Sequence, residues 1–396
     1  MSRVKIQSGF INRNYRNDPY WLIRRIFIDF FRYKLIRFLV KLMLICSPVI
    51  IILETIILLE VFDAVFFIKY YMSYITGIFM WFTLYSIFQI KESVSTGVHD
   101  LRGWKIGSTG STVEKLLRRE IYYENLFLIV TVFLAVINGI AFTIPDENDK
   151  DFFLPFIVFE RFFPIFERVL ILGCRLNVVL ITIIMTTPFN MIMYFCGHIR
   201  VQFTMFVVCL ENLDYGYDNV DPLKSLYNDE YQKEVTRRLK FCIERHIRIY
   251  SVANRILRDL RHFIFIFSII AVLYTIGILV YGATFPLSSP QRYLYVLSMV
   301  VCFIFIFLHM IWTGQATENV TSQMFEALKQ TAWYCWNEKN KKIFLMFVLN
   351  GRKAFKLQFS QNVSVNYQLG VSILKSVFSA VTVLARLQND YLLEGN

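Results

Sequence analysis

Charged residues are scarce in this sequence. Asp, Glu, Lys and Arg make up 18% of its 396 residues, whereas about a quarter is usual in soluble globular domains. Polar positions are therefore too rare to interrupt the apolar runs, which excludes a soluble multidomain protein. Intrinsic disorder is excluded as well, because 56% of the residues are hydrophobic and 17% are aromatic.

Disulfide, metal and catalytic patterns are also missing. The seven Cys are an odd number and no two of them have the C-x-x-C spacing, so neither a disulfide-stapled scaffold nor a zinc site is indicated. The sequence has no phosphate-binding glycine loop and no G-x-S-x-G nucleophile elbow. We therefore expect no enzymatic activity, no metal and no cofactor.

Unbroken apolar runs of membrane-spanning length take the place of these motifs. A helix needs about 20 such residues to cross a bilayer, whereas a barrel strand would alternate over about ten. The runs predict an all-α membrane protein with seven transmembrane helices, at 38–59, 65–90, 125–144, 169 to beyond 196, 263–281, 293–311 and 371–387.

Basic residues are concentrated in alternate connections. They are frequent before the first run and after the second, fourth and sixth, whereas the connection between the third and fourth runs is acidic, from Asp146 to Asp151. Because cationic connections stay in the cytoplasm, we predict a cytoplasmic N-terminus and an extracellular C-terminus. This orientation is opposite to that of G-protein-coupled receptors. The basic connections also account for the net charge of +12, so a nucleic acid partner is not needed to explain it.

Helical periodicity continues beyond the membrane. Apolar positions recur at helical spacing through 231–262, which predicts that the fifth helix extends by many turns into a cytoplasmic anchor bundle. Loose basic loops that touch anionic lipid are the alternative. The predicted organisation is a cytoplasmic segment 1–37, spans one to six in 38–311 with a helical extension around 199–262, an anchor region 312–365, the seventh span 366–388 and an extracellular tail 389–396.

Two charged residues lie in the outer parts of predicted spans. Glu54 is in the first span and Arg175 is in the fourth. They either pair across neighbouring helices, or each reaches the outer interface separately.

An ordered set of residues in the C-terminal third resembles insect odorant receptors. The set is Gly314-Gln315, Ser322, Glu326-Ala327, Trp333-Tyr334, Arg352-Lys353 and Gln388. A second match is the segment 239–256, which carries His246 in an amphipathic helix. The chain lacks the long cytoplasmic insertion of the odorant co-receptor, and the co-receptor's Thr-Tyr ending is degraded here to Val381-Thr382. It is therefore similar to a ligand-tuned receptor rather than to the co-receptor.

The resemblance implies a function and partners. A ligand-tuned odorant receptor is a subunit of a ligand-gated, non-selective cation channel, which small volatile odorants open and which forms a heterotetramer with the odorant co-receptor. Its location would be the plasma membrane of a sensory neuron dendrite. A gustatory receptor that forms a homotetramer around tastants is the alternative, and a transporter is disfavoured because no inverted repeat is evident.

The resemblance also implies a ligand pocket in the outer half of the bundle, between spans two, three, four and six. Apolar and aromatic walls with few hydrogen-bonding groups suit a volatile ligand. The candidates are Tyr70, Tyr71, Tyr74, Asn138, Gly139, Phe142, Gly173, Asn177, Tyr295, Met299 and Phe303. Aromatic belts and polar helix–helix contacts are the alternative roles for these residues.

The seventh span is expected to line the pore. The gate would be a narrow hydrophobic ring. From its position relative to Gln388, we expect this ring near Ala380 or Val381, with Leu384 above it. Arg386 would lie near the outer mouth, where four copies would repel cations. We therefore expect this chain alone to be a poor cation channel.

Overall fold

The computed structural model describes residues 18–101, 106, 110–146, 149–215, 226–284, 290–352, 354–358, 360 and 363–394, and it describes 283–284, 381 and 384–394 by their backbone alone. The helices within these ranges are α1 (Trp21–Ile23), α2 (Lys34–Val61), α3 (Ala64–Leu101), α4 (Ser111–Thr143), α5 (Leu154–Phe162), α6 (Glu167–Glu211), α7 (Asp229–Thr284), α8 (Pro290–Gln330), α9 (Glu338–Gly351) and α10 (Tyr367–Glu394). Among the described residues, the extended structure is one isolated bridge between Gln358 and Ser364.

Of the described helices, six are long and apolar enough to cross a membrane: α2, α3, α4, α6, α7 and α8. They contain the first six predicted spans, except that α4 ends at Thr143, one residue before the predicted end of the third span. The seventh predicted span, 371–387, lies within α10. The prediction of an all-α membrane protein is therefore confirmed.

Helices α6, α7 and α8 run well past membrane length, and α6 has 45 residues. Helix α7 has 56 residues and continues without a break from Asp229 through the predicted fifth span. Helix α8 similarly extends to Gln330, and the short apolar run 343–349 forms α9. We name the end of the bundle where α9 packs the anchor end, and the opposite end, where the segment 149–162 lies, the loop end.

Helix α6 is the centre of the bundle. It packs against α3, α4, α7 and α8, and Phe195, Phe203 and Phe206 on it are almost fully buried. Such packing is the main source of stability in a helical protein. It leaves large apolar side chains exposed on the outer faces of the bundle, as is expected for a chain that lipid surrounds.

The described part of the N-terminal segment, from Asp18 onward, packs into this bundle, which the sequence did not predict. Helix α1 continues through a π-helix (Arg24–Asp29) and a 3-10 turn (Phe30–Arg32). Tyr20 and Phe27 are buried. Asp18 accepts a 2.7 Å hydrogen bond from the Tyr194 hydroxyl of α6. The segment therefore belongs to the core rather than being a separate tail.

The anchor end is joined by buried polar contacts. The Trp336 indole N–H donates 3.0 Å hydrogen bonds to Asp214 and to the Tyr231 hydroxyl. A Cβ atom at Gly314 would lie 2.0 Å from the carbonyl oxygen of Val365, so only glycine fits this close approach. The Gly314-Gln315 motif thus has a packing cause.

Candidate ligand-binding site

Aromatic rings from three helices and one connection meet at the loop end. We name Phe142, Phe152, Phe153, Tyr281 and Tyr295 the aromatic cluster. Phe142 of α4 stacks on Tyr295 of α8 with ring centroids 4.9 Å apart. Phe152 lies edge-on to Tyr281 of α7 at 5.4 Å. Met72 of α3 and Met299 of α8 complete this buried group.

Few hydrogen-bonding groups accompany these rings. The Tyr295 hydroxyl donates a 2.5 Å hydrogen bond to the carbonyl oxygen of Ile144. The Ser298 hydroxyl donates to the Asn138 side-chain oxygen at 2.8 Å. An apolar wall with one or two polar groups has the chemistry of a site for a small, mostly apolar molecule, and the sulfur of Met299 can adapt to its shape.

A covering segment closes the loop end of this cluster. It comprises residues 149–162, which include the 3-10 turn Asp149–Asp151 and helix α5. Pro155 lies in the first turn of α5, where its missing N–H costs no hydrogen bond. Phe152 and Phe153 point into the aromatic cluster, while Leu154 and Phe156 join a second apolar group around Tyr70.

Sequence reasoning treated this segment only as an acidic connection. The signal that could have revealed its role is the apolar run 152–159, which follows the acidic residues directly. Such a run in a connection that faces water would be costly unless it packed on the bundle.

Three ion pairs attach the covering segment to three helices. Asp149 pairs with Arg175 of α6. Asp151 lies 2.7 Å from the ammonium of Lys69 of α3 and 3.5 Å from the guanidinium of Arg292 of α8. The hydrogen bond from Lys69 lowers the pKa of Asp151. Burial raises the pKa of Asp149 despite Arg175.

The two roles considered for Glu54 are both wrong. Arg175 is paired with Asp149 instead of Glu54. The Glu54 side chain does not reach the outer membrane interface, since it is only 1% exposed. Its Oε2 atom would lie 3.5 Å from a Cβ atom at Gly77 of α3. Sequence order could not reveal this, because Asp149 comes close to Arg175 only through the fold of the covering segment.

The tyrosines predicted on the second span lie outside the aromatic cluster. Tyr70 donates a 3.0 Å hydrogen bond to the carbonyl oxygen of Lys150. The hydroxyl of Tyr74 lies 3.0 Å from that of Thr55. Tyr71 donates a longer, 3.4 Å bond to the carbonyl oxygen of Leu273. These residues connect α3 to its neighbours and to the covering segment.

The remaining predicted pocket residues occupy helix interfaces or surfaces. A Cβ atom at Gly139 would lie 2.6 Å from the Val179 backbone, whereas one at Gly173 would meet nothing within 4 Å. Asn177 donates to the Gly173 carbonyl of its own helix at 2.7 Å. Phe303 lies 5.9 Å from Tyr274, centroid to centroid. The structure thus brings Asn138, Phe142, Tyr295 and Met299 together.

Helix α10 carries the predicted pore residues. It packs on α7 and α8, and it leaves Leu374 and Phe378 exposed by 59% and 75%. Ala380 lines a shallow depression with Lys375, Ser376, Ser379 and Val383. The side chains of Val381, Leu384, Arg386 and Gln388 lie outside the described part of the chain.

Comparisons with known proteins agree with this architecture. The family model described as 7tm Odorant receptor matches residues 108–378. The structure is similar to the insect olfactory receptor OR5 from Machilis hrabei, with a TM-score of 0.66, 8% identity and 88% of each chain covered. The same receptor in complex with eugenol matches with a TM-score of 0.61 and 9% identity, over 86% of this chain and 88% of that one. No curated protein matches the sequence.

Proposed function

Because the chain belongs to the 7tm odorant receptor family, we propose that it is the odorant-binding subunit of a ligand-gated, non-selective cation channel. It is a multi-pass membrane protein of a receptor family rather than an enzyme. The aromatic cluster is the observation that supports ligand binding at the loop end, since it offers a buried, mostly apolar site whose polar groups include the Tyr295 hydroxyl and the Asn138 amide.

The ligand is a small volatile molecule with an apolar body and at most one or two polar groups. A complex of a similar receptor with eugenol supports this size class. The rings of the aromatic cluster contact one another directly, so a ligand binds by displacing part of this packing. Phe152 and Phe153 belong to a connection rather than to a long helix, so their displacement does not require a long helix to move.

Helix α8 connects the ligand site to the pore helix. Tyr295 and Met299 near its start belong to the ligand site, and its later turns pack on α10. At Gly370 of α10, a Cβ atom would lie 3.3 Å from Ile311 of α8. A ligand opens the channel only to the extent that it binds the open state better. A shift of α8 that the ligand favours would therefore reach α10 through this close contact.

The exposed face of α10 fits assembly around a pore. Leu374 and Phe378 are apolar and uncovered within one chain, as expected for residues that contact other subunits. At the anchor end, Trp333 and Tyr334 are 45% and 61% exposed, and aromatic residues of this kind are enriched at protein interfaces. We assign these surfaces to a heterotetramer with the odorant co-receptor in the plasma membrane, with the N-terminus in the cytoplasm.

Current recordings with and without the co-receptor test this function. We expect odorant-evoked cation currents when both chains are expressed and weak currents from this chain alone, because four copies of Arg386 would repel cations. The R386Q variant should increase the current of this chain alone, whereas K339Q, at the anchor end, should not. Robust cation currents without a co-receptor would contradict the heterotetramer and favour a channel made of this chain alone.

A further inference from the structure

Two thiols face each other at the anchor end. Cys209 lies near the end of α6 and Cys242 lies in the early part of α7, and their sulfur atoms are 3.7 Å apart. Cys242 is fully buried, whereas Cys209 is half-buried. Both thiols are reduced. The two residues are on different helices, so a bond between them would join α6 to α7.

Cys209 is partly exposed and borders a small pocket. Leu213, Arg237, Arg238 and Phe241 line this pocket together with the Cys209 side chain. Arg238 is held there, because its guanidinium donates a 2.7 Å hydrogen bond to the Leu213 carbonyl and a 2.8 Å bond to Glu234. A fixed positive charge beside a partly exposed thiol is the environment typical of reactive cysteines.

The two thiols differ in acidity. The hydrogen bond from Cys242, together with the charge of Arg238, lowers the pKa of Cys209. The hydrogen bond with Cys209, together with burial, raises the pKa of Cys242. Cys209 is therefore the thiol that ionises first, and Cys242 is a protonated neighbour within contact distance.

We propose that Cys209 and Cys242 form a peroxide-responsive pair that closes to a reversible disulfide between α6 and α7. The Cys209 thiolate attacks one oxygen of hydrogen peroxide and breaks the O–O bond, which gives the Cys209 sulfenic acid and hydroxide. The sulfur of Cys242 then attacks the sulfur of the sulfenic acid, and the S–O bond breaks as the S–S bond forms. The thiol protons leave with the two oxygens as water, so two thiols and one peroxide give one disulfide and two waters.

The bond needs a modest approach of the two side chains. A disulfide has an S–S distance of about 2.05 Å, and the sulfurs already touch at 3.7 Å. Closure would tie the end of α6 to the start of α7, the two helices that residues 212–228 connect. A dithiol reductant reverses it by thiol–disulfide exchange.

Mass spectrometry of the full-length receptor tests the pair. Purified receptor is treated with hydrogen peroxide, denatured and alkylated with a first reagent, which labels the thiols that stayed reduced. It is then reduced and alkylated with a second reagent, which labels the thiols that had been oxidised. We expect Cys209 and Cys242 to take the second label together, the intact mass to fall by two hydrogens, and dithiothreitol to restore both thiols. In the C209S variant, Cys242 should keep the first label, whereas C335S should leave the pair unchanged.

Two results would overturn the proposal. One is a receptor in which Cys209 and Cys242 both keep the first label at peroxide concentrations that oxidise other Cys. The other is oxidation of Cys209 to the sulfinic acid while Cys242 stays a thiol. Both are measured on the unaltered chain, so neither depends on how well a variant folds.

Discussion

The ammonium of Lys69 lies 2.7 Å from the carboxylate of Asp151, which fastens helix α3 to the covering segment. Arg175 of α6 pairs with Asp149 of the same segment, and Arg292 of α8 lies 3.5 Å from Asp151. The segment that carries Phe152 into the aromatic cluster is thus held by three helices. One short connection therefore both forms a wall of the proposed ligand site and ties the loop end together.

The buried pair of Arg175 and Asp149 predicts a loss of stability on mutation. R175Q leaves the carboxylate of Asp149, which is only 8% exposed, without its cation, and removal of one partner from a buried pair costs about 3 kcal/mol. We expect a clearly lower thermal midpoint for the purified receptor. R168Q, on an exposed surface of the same helix, is the control and should leave the midpoint unchanged. Equal midpoints for the two variants would show that the pair does not hold the segment.

The two predicted pocket glycines should respond differently to the same substitution. G139A places a methyl group 2.6 Å from the Val179 backbone, whereas G173A meets nothing within 4 Å. Forcing α4 and α6 apart costs about 2 kcal/mol, so G139A should reduce the amount of folded receptor at the cell surface. G173A should match the unaltered receptor. Normal surface amounts of G139A would contradict the close packing of α4 on α6.

The sequence predicted the long helices well, because unbroken apolar runs and helical periodicity decide them locally. It named Phe142, Tyr295, Met299 and Asn138 as pocket candidates, and the structure brings these four residues together. It did not identify Phe152, because a connection without periodicity gives no sign that it folds back over the bundle. Gly139 shows the same limit, since the Val179 backbone that contacts it is 40 positions away in the sequence.

The buried His246 predicts an acid-sensitive anchor end. It lies among Phe206, Tyr250 and Phe347, and burial lowers its pKa from 6.5 to about 4. Between these values the unfolded chain binds a proton that the folded chain does not, so stability falls as the pH drops from 6.5 toward 4. The slope is at most about 1.4 kcal/mol per pH unit.

Thermal midpoints measured over this pH range check the His246 prediction. H246Q should remove part of the acid-dependent decline, because Gln carries no titrating proton. H99Q is the matched control, since the His99 side chain is 80% exposed, and it should keep the whole decline. Identical pH profiles for H246Q and the unaltered receptor would assign the acid sensitivity to other groups.

The most direct test of the account compares the concentration–response curves of odorant-evoked current for the F152A and F133A variants. Each variant is expressed with the co-receptor, and its current is normalised to the amount of receptor at the cell surface. Phe152 is buried in the aromatic cluster, whereas Phe133 is 62% exposed on the outer face of α4. If the cluster binds the ligand, F152A should shift the half-maximal concentration by about tenfold or more, which corresponds to about 1.4 kcal/mol, and F133A should leave it unchanged. Superimposable curves for F152A, F133A and the unaltered receptor would show that the odorant binds elsewhere.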